Sequence, residues 1–402
     1  MYSKNRVELL KTLTRLKKMA IITTHPIQYN APLFKLLADR GNIQIKVFYT
    51  WGSTVLENKF DPGFEKTINW DIPLLEGYEY VFEKNISADP GSHYFKGIDN
   101  PELINHIEEW GADTVLVFGW SFKAHLQSLR YFHKKIPVYF RGDSTLIDEK
   151  QGLKNIVRTL FLKWVYRYVN VAFFVGTQNK LYYLKHGLRE NQLAFAAHAV
   201  DNDRFIDRYG TYTAKALEWR HELKIADKDM VFLFAGKLEP KKDPELLIRA
   251  FIIMQQPDTH LIMVGNGVLE KGLKEKYAFV NKLHFIDFQN QTIMPVVYRL
   301  GNVFVLPSAG PGETWGLGVN EAMACERPVL VSNKVGCAVD LVDEGKNGFI
   351  FNSGDEISLA KKMCFIFKNN STIDQMGMAS YNKVVNWNFN SFANSMETVI
   401  NR

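Results

Sequence analysis

Residues 308–328 read Ser-Ala-Gly-Pro-Gly-Glu-Thr-Trp-Gly-Leu-Gly-Val-Asn-Glu-Ala-Met-Ala-Cys-Glu-Arg-Pro. The apolar run Val303–Leu306 before them ends at Pro307 and predicts a buried strand. Gly310, Gly312, Gly316 and Gly318 predict a loop with room for an anion, and a helix starts near Leu317 and carries Glu321. The first N–H groups of a helix have no partner inside it, and the helix dipole adds to their attraction for an anion. Glu313 and Glu321, separated by seven residues, would repel a phosphate. They suit sugar hydroxyls, which donate to carboxylates. A phosphate-sized loop beside two hydroxyl acceptors has the outline of a site for a nucleotide-sugar. An ordinary capped helix of an α/β protein carries the same residues, and the two readings are separated only by what surrounds the stretch.

Working outward, strands alternate with helices on both sides. Upstream lie Val231–Ala235, Thr259–Val264 and Leu283–Ile286; downstream lie Pro328–Val331 and Phe349–Phe351. A second alternating set precedes them. It comprises strands at Met19–Thr24, Ile43–Tyr49, Thr114–Phe118, Pro137–Phe140, Val171–Val175 and Leu193–Ala196. Helices are expected from Leu33, at Asn100–Trp110, at Ser121–His133 and from Asn155 to Tyr168. This alternation predicts two parallel, doubly wound α/β sheets. The expected organisation is an extension at 1–18, a first domain at 19–205 and a second at 206–384 that includes the linker. Residues 51–96, rich in Gly, Pro and aromatics, are expected to be an irregular surface excursion.

The 402 residues suffice for two such domains, and 46% hydrophobic content excludes global disorder. The net charge of +6 is small and scattered, so no nucleic-acid partner is expected. Cys325, Cys337 and Cys364 have no metal-ligand spacing and read as reduced thiols of a cytoplasmic protein. No run approaches a membrane span, and no apolar core of a secretory signal is present. Residues 1–18 mix Lys4, Arg6, Lys11, Arg15, Lys17 and Lys18 with Val7, Leu9, Leu10, Leu13 and Leu16. They read either as a basic amphipathic helix lying peripherally on the inner face of the plasma membrane or as a plain upstream extension before Met19.

Ligands of open α/β sheets lie past the carboxyl ends of the strands. There the sequence places Gly236-Lys237…Lys242, a pair of cations suited to a diphosphate or a solvated Lys-rich turn. It also places Gly265-Asn266-Gly267, a second close-approach loop. His25-Pro26-Ile27-Gln28-Tyr29-Asn30 comes after the first strand, and Arg141-Gly142-Asp143 ends the fourth. His25 either orients a hydroxyl, acts as a base, or satisfies loop hydrogen bonds. Trp51, Trp70 and Trp120 form either a sugar-stacking platform or core. Asp201 and Asp203 match a D-x-D metal pattern superficially but fall in the linker, and no metal site is expected.

Glu313-Thr-Trp-Gly-Leu-Gly-Val-Asn-Glu321, with Pro307-Ser308 before it and Arg327-Pro328-Val-Leu-Val after it, resembles the E-x7-E signature of GT-B glycosyltransferases, in particular retaining family 4. The resemblance is strong over residues 230–352 and moderate over 19–205. It implies two Rossmann-like domains about a cleft, with a final helix, about 385–402, crossing back to the first. It implies transfer of a sugar from a UDP- or GDP-sugar to a hydroxyl acceptor, with retention and without a cofactor or metal. The acceptor implied is a bacterial surface polysaccharide or a lipid-linked glycan.

By the same resemblance Lys237 and Lys242 grip the diphosphate, Glu313 meets the donor sugar and Glu321 the ribose. The N–H groups of Trp315, Gly316 and Leu317, next to Thr314, hold the distal phosphate, and Gly236, Gly265 and Gly267 line the donor site. His25, Gln28, Tyr29, Asn30 and Arg141 fall on the acceptor side. Relatives carry a histidine near Arg141 that is absent here, and Arg141 or Asp143 is the expected replacement. Lys237 stands where Arg is usual, and Asp243 and Glu326 stand where Gly is usual. The alternatives are a nucleotide-sugar 2-epimerase on the same fold and a non-catalytic nucleotide-sugar-binding protein.

Overall fold

The computed structural model describes residues 15–53, 60–61 and 63–401. Most of the basic segment read at 1–18, namely residues 1–14, lies outside the described residues.

The first sheet joins seven strands in the order β5-β2-β1-β6-β7-β8-β9. These are β1 (Lys18–Thr23), β2 (Gln44–Tyr49), β5 (Glu79–Phe82), β6 (Thr114–Phe118), β7 (Val138–Arg141), β8 (Val171–Phe174) and β9 (Leu193–Phe195). A two-stranded ribbon, β3 (Phe60–Asp61) and β4 (Lys66–Thr67), stands apart. The second sheet joins six strands in the order β12-β11-β10-β13-β14-β15. They are β10 (Met230–Ala235), β11 (Thr259–Val264), β12 (Leu283–Ile286), β13 (Val303–Leu306), β14 (Val329–Ser332) and β15 (Gly348–Phe351). Every neighbouring pair in both sheets is parallel.

Parallel sheets are covered on both faces, so their strands read as continuous apolar runs. In β1 the alternation is plain. Ala20 and Ile22 join the core on one face of the sheet, and Met19 and Ile21 join the core on the other. Five helices position the cleft and its surroundings: α1 (Ala31–Arg40), α2 (Leu153–Tyr166), α3 (Pro244–Met254), α4 (Leu317–Ala324) and α5 (Phe389–Ile400). Although last in the chain, α5 buries Phe392, Ala393, Met396 and Ile400 in the first domain's core, beside Leu33 and Leu37 of α1. The chain thus crosses back, as GT-B architecture requires.

One expectation fails. Residues 51–96 are not only an irregular excursion, because Glu79–Phe82 pairs with β2 and completes the order 3-2-1-4-5-6 of a doubly wound sheet. As an edge strand it is half exposed, so it has no long apolar run to betray it. The residues before it reach the second domain: Lys66 pairs with Asp287 at 2.9 Å, and the Thr292 N–H donates to Asp71 at 3.2 Å.

Both sheets reverse strand order beside their first strand, between β1 and β6 and between β10 and β13. The crevice at such a reversal is where this class of sheet binds ligands. The loops after β1, β10 and β13 meet there.

Candidate active site

Between the two sheets lies a cavity of about 390 Å³. The first domain lines it with Gln28, Tyr29, Phe64, Trp70, Asp143 and His198. The second lines it with Gly236, Lys237, Lys242, Gly265, residues 313–318, Tyr298 and Glu321, among others.

The wall between β13 and α4 is built as its residue types dictate. Gly316 takes a φ of 95° and caps α4, so the backbone turns sharply from β13 into the helix. Among the described residues, the N–H groups of Thr314 to Gly318 find no acceptor, and the first helical donor is Val319, bonded to the Gly316 carbonyl at 2.9 Å. Behind this loop, Gly336 packs against its backbone. A Cβ at 336 would stand 1.7 Å from the Thr314 carbonyl oxygen, so only glycine fits.

Glu313, 7% exposed, accepts from the Lys242 ammonium and from Ser308 Oγ at 3.0 Å through the same oxygen, Oε2. Glu321, 3% exposed, accepts from the Tyr298 hydroxyl at 2.7 Å through Oε2, while its buried Oε1 has no hydrogen-bond partner among the described residues. Burial holds the Glu321 carboxyl above its usual range, against the opposing pull of the Tyr298 hydroxyl, the Arg204 charge and the nearby Tyr29 hydroxyl. Burial, with the Glu321 charge adding to it, raises the Tyr29 phenol well above its usual value. Lys237 lies over the Phe64 ring at 4.8 Å. Phe64, Trp70 and Phe288 form an aromatic wall, with the Phe64 and Trp70 ring centroids 4.8 Å and 6.2 Å from that of Phe288.

Two positions that depart from glycine keep glycine-like backbone. Asp243 has φ 45° and Glu326 has φ 59°, both left-handed. The backbone shape is therefore kept at a conformational cost. Asp243 recovers part of it, because its carboxylate caps α3 by accepting from the Leu246 N–H at 3.3 Å.

Of the other residues singled out in the sequence, Gln28, Tyr29 and Asp143 reach the cavity, and Asp143 accepts from Thr314 Oγ1 at 2.7 Å across the domain boundary. Arg141 does not line it. Its guanidinium donates to the carbonyls of Ala196 at 2.9 Å and Ala197 at 3.2 Å and stacks 4.2 Å over Phe392, and burial lowers its pKa to about 10. It binds the strand end to the segment just after β9 and to α5 and does not reach the cavity. His25 contacts Thr24 Oγ1 at 2.9 Å and meets Trp51 edge-on at 5.1 Å, also off the lining. Asn30 stands at the N-terminal end of α1 without a side-chain cap hydrogen bond, and Gly267 approaches the Leu238 carbonyl. Of the three tryptophans, only Trp70 lines the cavity; Trp120 packs on Phe161.

Sequence reasoning missed His198. It lines the cavity 5.8 Å from Trp315, and burial together with Arg141 pushes its pKa down to about 4, so it is neutral near pH 7. It lies just past the end of β9, and that strand-end position was the signal available. Tyr298 is buried in the second domain's core, and its hydroxyl donates to Glu321.

Among the described residues no group of three His, Cys, Asp or Glu side chains is placed to hold a metal ion, and the three cysteines are free thiols.

Residues 216–383 match the family described as Glycosyl transferases group 1. The capsular polysaccharide biosynthesis glycosyltransferase CapM of Staphylococcus aureus is 25% identical over 356 residues, covering 80% of this chain and 91% of that protein. The sulfoquinovosyl transferase SQD2 of Arabidopsis thaliana is 27% identical over 194 residues, 47% of this chain but 36% of that protein. Against several curated relatives the chain spans little more than a third of their length. The solved structure of Anabaena HepE in complex with UDP and glucose superposes with a TM-score of 0.69 at 16% identity, covering 96% of this chain and 99% of that one. The two facing Rossmann-like domains have the fold of the GT-B glycosyltransferases. The match to the Glycosyl transferases group 1 family falls on the second domain.

Proposed function

We propose that the chain transfers a sugar from a UDP- or GDP-sugar to a hydroxyl acceptor, with retention at the anomeric carbon. The acceptor class we favour is a bacterial surface polysaccharide or lipid-linked glycan. One observation carries the reading. Glu321 lines the same cavity as two lysines and the N–H groups of residues 314–318, and among the described residues neither its buried Oε1, an acceptor when the carboxyl is ionised, nor those N–H groups have a hydrogen-bond partner. A buried orphan acceptor is costly, and a ribose hydroxyl is a donor of the right kind.

In this reading the diphosphate sits at the amino end of α4, against Lys237 and Lys242. These groups stabilise the charge that develops on the departing phosphate, so the site calls for no metal. Glu313 faces the donor sugar, and Asp143 and His198 face it from the first domain. The leaving phosphate takes the acceptor proton on the face it departs from. That UDP and glucose are held by HepE supports a donor of this type. That CapM is a capsular polysaccharide glycosyltransferase supports a glycan acceptor.

The test is incubation of the purified chain with a panel of nucleoside diphosphate sugars and candidate acceptors in EDTA, with the product's anomeric configuration read by NMR. Retained configuration supports the account. Inversion refutes its stereochemistry, and free sugar formed without any acceptor points to an epimerase or hydrolase.

A further inference from the structure

The β7–α2 connection carries Asp143 at the cavity and leads directly into α2, whose first half is turned inside out. Leu153 is 81% exposed, Val157 66%, Leu160 62% and Ile156 58%. The half-buried positions of the same turns are polar, Asn155 and Thr159. Burial resumes only at Leu162, Val165 and Tyr166. Helical spacing places Leu153, Ile156, Val157, Leu160 and Phe161 on one outward stripe. Lys154 and Arg158 flank it on one side and Lys163 on the other. From residue 150 to 168 there is no carboxylate. The two just before are engaged elsewhere, Glu149 with Lys185 and Asp148 with Lys334.

We propose that the outward face of α2 docks on an anionic lipid bilayer, its apolar stripe entering the interface and its lysines and arginine meeting the headgroups. An apolar face with basic flanks is the pattern of helices that lie in such an interface, and long cationic side chains reach the headgroups while their stems run along the apolar surface. The charge selects this occupant. A second copy of the chain would bring the same cations into contact, and residues 1–14 are themselves net basic. The two signals, apolar burial and cation attraction, are together what reversible anchoring needs. Docked this way, the first domain's side of the cleft opens next to the membrane, where a lipid-linked acceptor would lie. Only this last consequence rests on the transferase reading.

The test is flotation of the full chain with vesicles of phosphatidylcholine alone or with added phosphatidylglycerol. The wild type is expected to float with the anionic vesicles only and to be released by high salt. The triple variant Leu153→Ser, Val157→Ser, Leu160→Ser is expected to lose roughly tenfold or more of that binding, and Lys154→Glu with Lys163→Glu to lose the anionic preference. Nucleotide binding, measured separately by thermal shift, is expected to stay unchanged, so a failed membrane experiment and a failed donor reading are distinguishable. The proposal is overturned if the wild type does not float. It is overturned equally if the triple variant floats as well as wild type, which would move the contact to another surface. A dimer that the triple variant dissociates would show that a second copy covers the stripe, and would also overturn it.

Discussion

The Tyr298 hydroxyl donates to Glu321 Oε2 at 2.7 Å, and Glu321 Oε1 is buried with no hydrogen-bond partner among the described residues. The phenol fixes one oxygen of the carboxylate before any ligand arrives. If Oε1 accepts from a ribose hydroxyl, the protein should prefer UDP or GDP over the corresponding deoxyribose analogue by on the order of a hundredfold. Glu321→Ala should collapse that preference. Tyr298→Phe should weaken nucleotide binding while costing about 1 kcal/mol of stability. Calorimetric titration with both nucleotides reads the ratio, and an undiminished preference in Glu321→Ala would remove Glu321 from the ribose.

Lys242 and Glu313 form a largely buried ion pair. Lys242→Ala should lower turnover by about 10²–10³ through the lost cation. It should also lower stability by about 3 kcal/mol, because the Glu313 charge is left buried without its partner. The double variant Lys242→Met, Glu313→Gln removes both charges, and should recover most of the stability but none of the turnover. Urea melts beside an activity assay separate the two roles.

Gly336 is required by the close approach of its backbone to Thr314. Gly336→Ala should displace the 314–318 loop, costing about 2–4 kcal/mol and abolishing nucleotide binding. Gly272→Ala is the control, since nothing lies within 4 Å of a Cβ there and the residue is helical. It should stabilise by about 0.5–1 kcal/mol.

Glu326 holds a left-handed φ without a side-chain cap of its own. Glu326→Gly should raise stability by about 0.5–1 kcal/mol, the left-handed strain relieved exceeding the added chain entropy. An unchanged or lowered urea midpoint would show that the strain is small.

His125, His186, His198 and His284 are each pushed down to about 4, chiefly by burial. Unfolded histidine titrates near about 6.5, so between the two values the unfolded chain binds more protons than the folded one. Stability should therefore be full above about pH 6.5 and be lost as pH falls towards 4. His125 is fully buried, its Nδ1 bonded to the Phe118 and Gly119 carbonyls at 3.0 and 3.1 Å. His125→Asn should flatten part of that slope in urea melts run from about pH 7.5 to 4.5.

What could be read from the residues alone divides on physical grounds. The second domain was legible because its strands are buried on both faces and its glycine loops come directly after them; Glu313, Glu321 and Lys242 sit on those loops or on the helices they open. The edge strand Glu79–Phe82 was not, because half exposure erases the apolar run. His198 and Phe64 were missed because they reach the cavity only through the packing of one domain on the other, which no local pattern encodes. Arg141 misled for the same reason. At a strand end it looks like a ligand contact, yet the crossing helix covers it. The outward stripe of α2 has helical periodicity in the sequence, but periodicity does not say which face is buried.

Calorimetric titration of the wild-type chain and Lys242→Ala with UDP, GDP and their sugars, in EDTA, tests the central claim most directly. The account predicts that one nucleoside diphosphate binds the wild type without metal, and that Lys242→Ala loses at least about tenfold of that affinity. Absence of binding by any nucleotide, or equal affinity in the variant, would contradict it.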